Sequence, residues 1–132
     1  MTVVDLTGQS IDEAQDPICV TPGEYKLRLI ECDGIRQNKA DNDYILPRFE
    51  VVGEPLAKDF TYYLPLFSED YDEKRSSRVA AGIKNFCLCF GIPTDSFDTD
   101  ELQGLEGWAM LGVSDDPQYG EQNYIKKFVV GA

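Results

Sequence analysis

Hydrophobic and polar side chains alternate early in the chain, where Tyr25, Leu27 and Leu29 fall on one face of an extended backbone. Lys26 and Arg28 fall on the opposite face. Alternation with a period of two is typical of a β-strand with one buried face and one solvent-facing face. The pattern therefore predicts a first strand that directs its basic side chains away from the core.

Four later segments have strand-like patterns and predict four more strands. They cover residues 44–52, 58–66, 108–113 and 124–130. Ile45, Phe49 and Val51 share one face of the second strand. Tyr44 and Arg48 share the other face. A proline in the middle of this strand cannot donate a ladder hydrogen bond, so we expect an edge or a bulge there. The polar residues 36–43 are predicted to form the hairpin loop between the first two strands.

An amphipathic helix is predicted between the third and fourth strands. Ser68 and the acidic residues directly after it favour a helix start, because they satisfy exposed amides and suit the positive end of the helix dipole. Apolar residues then recur at helical spacing, at Val79, Ile83, Phe86 and Phe90. Gly91 is a suitable C-cap. Three strands, a helix and two strands predict an all-β fold with one helix, a five-stranded OB-fold barrel with the helix between strands three and four. The open face of such barrels commonly binds single-stranded nucleic acid or oligosaccharide.

The length of the chain, 132 residues, suits one hydrophobic core and is too short to suggest two domains. Residues 1–20 are predicted to form an acidic N-terminal arm, and residues 21–132 the OB-fold domain. The longest apolar runs are far shorter than a membrane span, and the N-terminus lacks a basic, apolar secretory signal. These features predict a cytoplasmic protein that does not associate with membranes, with its four cysteines reduced.

The net charge of −12 is an objection to nucleic-acid binding, because domains that bind nucleic acid are usually basic. Phosphate contacts, however, act within about 8 to 10 Å, the Debye length. A basic stripe on an acidic protein can therefore bind a strand if the acids lie elsewhere. Here the acids concentrate in the arm, at the helix start and in the connection after the helix.

Catalytic signatures are missing from the sequence. The chain has no histidine, the most common general base and metal ligand. Cys87 and Cys89 have the wrong spacing for a zinc knuckle, and on a helix they point to different faces. The acidic segment 95–101 lacks the glycine and the spacing of a calcium loop. The sequence also has no phosphate-binding glycine loop and no serine elbow. We therefore expect a binding protein, with no enzymatic activity, no metal site and no cofactor.

Five short motifs follow one another along the chain. They are Pro22-Gly23-Glu24-Tyr25-Lys26-Leu27-Arg28-Leu29, Arg48-Phe49-Glu50-Val51-Val52, Lys84-Asn85-Phe86-Cys87 before Gly91-Ile92, Leu105-Glu106-Gly107-Trp108, and Asn123-Tyr124-Ile125. In this order and spacing the chain resembles a family of small phage-encoded proteins related to OB-fold single-stranded DNA-binding proteins. The resemblance covers nearly everything after the arm. It implies single-stranded DNA binding in phage replication or recombination, in the host cytoplasm, with replication or recombination proteins as further partners. Many such proteins end in an acidic recruiting tail, which the ending Val130-Gly131-Ala132 lacks.

Single-strand binding requires a basic groove along the backbone and aromatic faces on which bases stack. The candidate residues are Lys26, Arg28, Arg36, Lys39, Tyr44, Arg48, Tyr62, Tyr63, Lys126 and Lys127. Lys26, Arg28 and Arg48 are predicted to form one stripe, and Lys126 is expected to lie on the same stripe. Tyr44 is predicted to be a stacking platform beside it. The sequence leaves open which of Tyr62 and Tyr63 is the second platform.

A structural interpretation of the same residues stands beside the functional one. The cations also suit the solvated face of a sheet, and the tyrosines also suit core or cross-strand packing. Trp108 opens a strand, and we expect it in the core at one end of the barrel rather than in a stack with a base.

An alternative function belongs to a different class. A small acidic protein can imitate DNA phosphates and block a host nuclease or polymerase, as an acidic DNA mimic or host-protein-binding inhibitor. Net charge favours this alternative, and the basic, aromatic strands oppose it. The sequence leaves open the oligomeric state, the protein partners, the role of the arm and any preference for DNA over RNA.

Overall fold

The computed structural model describes residues 1–130. Its strands are β1 (Gly23–Glu31), β2 (Arg36–Gln37), β3 (Asp43–Ile45), β4 (Arg48–Val51), β5 (Phe60–Thr61), β6 (Leu64–Pro65), β7 (Glu106–Asp116) and β8 (Gly120–Phe128). The helix α1 (Glu73–Phe90) lies between β6 and β7 in chain order. Two 3-10 turns occupy Ile11–Glu13 and Thr99–Glu101.

The main sheet has the order β5-β4-β1-β7-β8, and its edges approach each other. The ring of Tyr62, directly after β5, lies edge-on against Phe128 of β8 with centroids 5.1 Å apart. Lys58 Nζ, before β5, donates to the carbonyl oxygen of Glu121 in β8 at 3.1 Å. The five strands therefore form a nearly closed antiparallel barrel. This architecture confirms the predicted fold, an all-β OB-fold barrel with one helix.

The second and third predicted strands each break into two pieces. β3 and β4 are separated at residues 46–47, because Pro47 has no amide hydrogen; its carbonyl oxygen accepts from Tyr62 N at 3.0 Å. β5 and β6 are separated at residues 62–63. The outer pieces form a small second sheet, β2-β3-β6. The prediction of a loop over residues 36–43 was wrong at both ends, where β2 lies and where β3 begins at Asp43. The predicted faces survive the break, because Ile45 and Phe49 are buried while Arg48 is exposed.

The core lies between the inner face of the barrel and one face of α1. Leu27 and Leu29 of β1 are completely buried, as the alternation predicted. Phe49 of β4 packs against Phe90 of α1 with centroids 5.4 Å apart. Phe86 of α1 meets Phe128 of β8 at 5.8 Å. Aromatic rings thus join the helix to both sides of the sheet. No helix within residues 1–130 is long and apolar enough to cross a membrane.

The helix begins later than the sequence suggests. Ser68 does not cap it; its hydroxyl donates to Asn42 Oδ1 at 2.7 Å. Asp72 is the N-cap, and its carboxylate accepts from Arg75 N at 2.8 Å. The predicted end is confirmed, since Gly91 adopts a left-handed conformation with φ of 70° that suits glycine.

All four cysteines are free thiols. Cys87 is buried in the core, and the other three are half-buried. Burial raises the pKa of Cys89 to about 11, so this thiol stays protonated at neutral pH.

The acidic arm meets the barrel at its last residues. Residues 1–17 are exposed, whereas Ile18 forms a bridge with Ala57. Two residues after Ile18, the backbone of Val20 is bound by the side chain of Asn123 in β8. Its Oδ1 accepts from Val20 N and its Nδ2 donates to Val20 O, each at 2.9 Å. The same Nδ2 donates to Gly112 O at 3.1 Å. A buried amide therefore holds the junction between the arm and the barrel.

Asn123→Ala is expected to lower the free energy of unfolding by about 1 to 2 kcal/mol, because it removes hydrogen bonds from buried backbone groups. Denaturant titration measures the change. Gln122→Ala is the matched control at the preceding position, where the side chain makes a single long hydrogen bond to Tyr119 O at 3.3 Å. Equal losses in the two variants would contradict a structural role for the Asn123 amide.

Candidate nucleic-acid interface

Arg28, at the centre of the predicted basic stripe, is neutralised by two carboxylates. Its Nη1 lies 2.8 Å from Glu50 Oε1 on β4, and its Nη2 lies 2.7 Å from Glu106 Oε2 on β7. These residues are the cross-strand partners of Arg28. Hydrogen bonds to Glu106 and then to Glu50 raise the pKa of Arg28. Hydrogen bonds from Arg28 and then from Lys26 lower the pKa of Glu106. The guanidinium is therefore satisfied within the protein and is a poor candidate for phosphate contact.

Lys26 lies two residues before Arg28 on the same outer face of β1. Its Nζ is 3.4 Å from Glu106 Oε1, so this carboxylate contacts both cations. Directly opposite Lys26 on β7 is Trp108, whose surface is 48% exposed. The expectation that Trp108 packs in the core was wrong, because the register of β7 places it on the outer face. An exposed indole beside a lysine has the chemistry that base stacking requires, and the sequence alone did not select it.

Two further arginines each lie beside an acidic side chain. Arg36 Nη2 lies 2.8 Å from Asp33 Oδ2 in the preceding loop. Arg48 Nε lies 3.8 Å from Asp59 Oδ2, at the outer limit for an ion pair. Both pairs are solvent-exposed, where such contacts contribute little stability. These arginines can therefore exchange their carboxylates for phosphates at low cost.

The second sheet brings two predicted tyrosines together. The rings of Tyr44 on β3 and Tyr63, directly before β6, are stacked with centroids 4.5 Å apart and an angle of 26° between their planes. Asn38 Nδ2 donates to Tyr63 Oη at 3.1 Å. Arg36 is the cross-strand partner of Tyr44, so its side chain projects from the same face. We call Tyr44 and Tyr63 the tyrosine pair.

The structure separates the roles of the two neighbouring tyrosines. Tyr63 is 46% exposed, whereas Tyr62 is half-buried against Phe128. Burial raises the pKa of the Tyr62 hydroxyl. Tyr62 therefore helps to close the barrel, and Tyr63 presents an aromatic surface to solvent. Lys39 is exposed in the turn between β2 and β3, near the tyrosine pair in sequence.

Lys126 and Lys127 lie together on β8, at a register shift opposite Met110 and Leu111 of β7. Both are exposed, and in the described part of the chain neither has a carboxylate within 4.0 Å. Tyr124 of the same strand is 42% exposed and lies over Gly112 of β7. A β-carbon on Gly112 would be 2.6 Å from Tyr124 Cζ, so the missing side chain makes room for the ring. Sequence reasoning missed Tyr124, although its alternation with the lysines was a usable signal.

The predicted stripe of Arg28, Arg48 and Lys126 does not run along one line. Arg28 lies opposite residue 106 of β7, whereas Lys126 lies beside residues 110–111. At about 3.3 Å per residue this offset is roughly 13 to 16 Å, and it crosses β7. Some of the candidate residues instead gather at two places, Arg36 beside the tyrosine pair and Lys126 beside Lys127 (the β8 lysines). Lys26, Arg28 and Arg48 belong to neither group. Among residues 1–130 no group of three or more histidine, cysteine or acidic side chains is placed to hold a metal ion.

Comparison of the chain with models of known protein families and with curated proteins finds no match.

Proposed function

We propose that this protein binds single-stranded DNA with little sequence preference, in phage-type replication or recombination. The observation that supports this best is the tyrosine pair on the outside of an OB-fold barrel. Tyr44 holds one face of Tyr63 in a stack, and Tyr63 remains 46% exposed. A base that stacks on a protein aromatic ring gains roughly 1 to 3 kcal/mol, for any base.

The distribution of charge supports the same proposal despite the net charge of −12. Lys39, Lys126 and Lys127 are exposed, and within residues 1–130 none has a carboxylate within 4.0 Å. Arg36 and Arg48 have only exposed carboxylate partners. Each phosphate contact by such a group releases condensed counterions, so affinity falls as salt rises. Because Arg28 is bound by Glu50 and Glu106, it is expected to contribute less than these five.

Fluorescence titration of a labelled oligo-dT at about 50 mM salt tests the proposal. Wild type is expected to bind, with affinity that weakens as salt is added. Tyr63→Ala is expected to weaken binding by roughly 1 to 3 kcal/mol, about 5- to 150-fold, because it removes the stacking surface. Tyr63→Phe is the matched control. It keeps the ring and loses only the hydroxyl that accepts from Asn38, so binding is expected to stay close to wild type.

Absence of wild-type binding under these conditions would contradict single-strand binding. The alternative, an acidic DNA mimic that inhibits a host protein, is then favoured by the net charge of −12. Equal weakening by Tyr63→Ala and Tyr63→Phe would instead contradict the role of the ring, since it would assign the effect to the Asn38 contact.

A further inference from the structure

The helix α1 has a charge opposite to that of the chain. Between Glu73 and Phe90 it contains one acidic residue and four basic ones, Lys74, Arg75, Arg78 and Lys84. Three of these four lie in the first two turns. Cations there oppose the positive end of the helix dipole, so helix stability does not account for their position. In the described part of the chain none of the four has a carboxylate within 4.0 Å.

A cavity lies between the start of α1 and β6. Of the described residues that line it, Lys74, Arg75 and Arg78 are basic and Pro65 and Val79 are apolar. Asp72 also lines it, but its carboxylate is engaged as the N-cap. Pro65 is the cross-strand partner of Tyr44. The cavity therefore reaches the strand that pairs with Tyr44 of the tyrosine pair.

A second cavity lies between the middle of α1 and the end of β8. Gly82 and Asn85 line it from the helix, and Lys126 and Lys127 line it from the strand. Arg78, Gly82 and Asn85 are spaced four and three residues apart, so they share one face of α1. The two cavities thus follow one side of the helix. We call this path the helix groove, defined by Pro65, Lys74, Arg78, Gly82, Asn85 and the β8 lysines.

Gly82 gives the groove its width. Glycine in a helix interior is unfavourable relative to alanine. A β-carbon on Gly82 would have no atom within 4 Å, so close packing does not require glycine here. The absent side chain instead leaves a shallow depression in the helix surface between the cations of α1 and those of β8.

We propose that the helix groove binds the phosphate backbone of single-stranded DNA as the strand leaves the tyrosine pair, with Lys74 and Arg78 contacting phosphates before Lys126 and Lys127. This inference rests on the proposed single-strand binding and adds a basic surface outside the sheet. From Lys74 to Asn85 the helix rises about 16 Å. At about 3.4 Å per phosphate of a stacked strand, that length matches about five phosphates.

The experiment compares oligo-dT of about 5 and about 15 nucleotides, lengths near the two ends of the range of OB-fold site sizes. In the double variant Lys74→Ala/Arg78→Ala, affinity for the long oligomer is expected to fall roughly tenfold. The slope of log affinity against log salt is expected to fall by roughly 1.4, from two lost single-strand phosphate contacts. Affinity for the short oligomer is expected to change less. Lys84→Ala is the matched control, because Lys84 is on the same helix about 120° around the axis from Arg78.

A second variant tests the groove without removing charge. Gly82→Gln introduces a better helix former whose side chain occupies the open path, so the fold is expected to remain intact while long-oligomer affinity falls. Circular dichroism checks the fold of each variant. If Tyr63→Ala weakens binding but Lys74→Ala/Arg78→Ala matches wild type in long-oligomer affinity and salt slope, the groove inference is wrong and the proposed function stands. If wild type binds neither oligomer, the proposed function itself fails.

Discussion

Phe49→Ala is expected to lower the free energy of unfolding by about 3 to 5 kcal/mol. Phe49 is completely buried on β4. Its ring lies 6.0 Å from that of Phe60 on β5 and 5.4 Å from that of Phe90 on α1. Truncation therefore leaves a cavity where two strands and the helix meet, and the rigid neighbours can fill it only in part.

Denaturant titration at constant temperature measures this loss. Tyr44→Ala is the control from the same predicted strand, on its opposite face. It removes the stack on Tyr63 but no core contact, and we expect a loss of about 1 kcal/mol. If Tyr44→Ala were the more destabilising of the two, the assignment of the inner and outer faces would be wrong.

Gly107→Ala is expected to destabilise the protein by about 3 kcal/mol, at the upper end of the usual range for overpacking. Gly107 is buried on β7 where that strand meets the end of α1. An added β-carbon would lie 2.7 Å from the carbonyl oxygen of Cys89 and 2.8 Å from its sulfur. Because the atom nearest to the added β-carbon belongs to the backbone of α1, β7 and α1 must move apart to accommodate it.

Gly112→Ala on the same strand is the matched control. Its added carbon would meet the ring of Tyr124 at 2.6 Å and Lys126 Cε at 2.8 Å. Both are ends of flexible side chains, so we expect a loss below about 1 kcal/mol as they swing away. Thermal unfolding of both variants provides the comparison. A milder effect at Gly107 than at Gly112 would show that the helix is not held against β7 as described.

Local sequence signals predicted most of the fold. Alternation identified the buried face of β1. It also correctly placed Tyr44 and Phe49 on opposite faces of the second predicted strand, despite the break at Pro47. The C-cap at Gly91 followed from the chemistry of the left-handed conformation. The helix start was misplaced because Ser68 bonds to Asn42, a partner 26 residues away that no local pattern specifies.

The candidate interface was predicted less completely than the fold. The sequence identified Tyr44 and Tyr63 individually, but their stack depends on how β3 and β6 pair. The outward position of Trp108 depends likewise on the register between β1 and β7. The cations of α1 were visible in the sequence, yet their relation to the β8 lysines appears only when the helix packs beside that strand.

The sequence by itself determined the buried faces of β1 and β4, where the helix ends and which residues have charge or aromatic rings. These properties depend on periods of two and 3.6 residues and on local backbone chemistry. Only the tertiary structure decided which of the charges remain free to bind a ligand. Arg28 is neutralised by carboxylates 22 and 78 residues away, because antiparallel pairing places Glu50 and Glu106 on either side of it. Charge interactions between exposed groups are screened beyond about 8 to 10 Å, so distance in the folded chain, rather than separation in sequence, determines which cations are free.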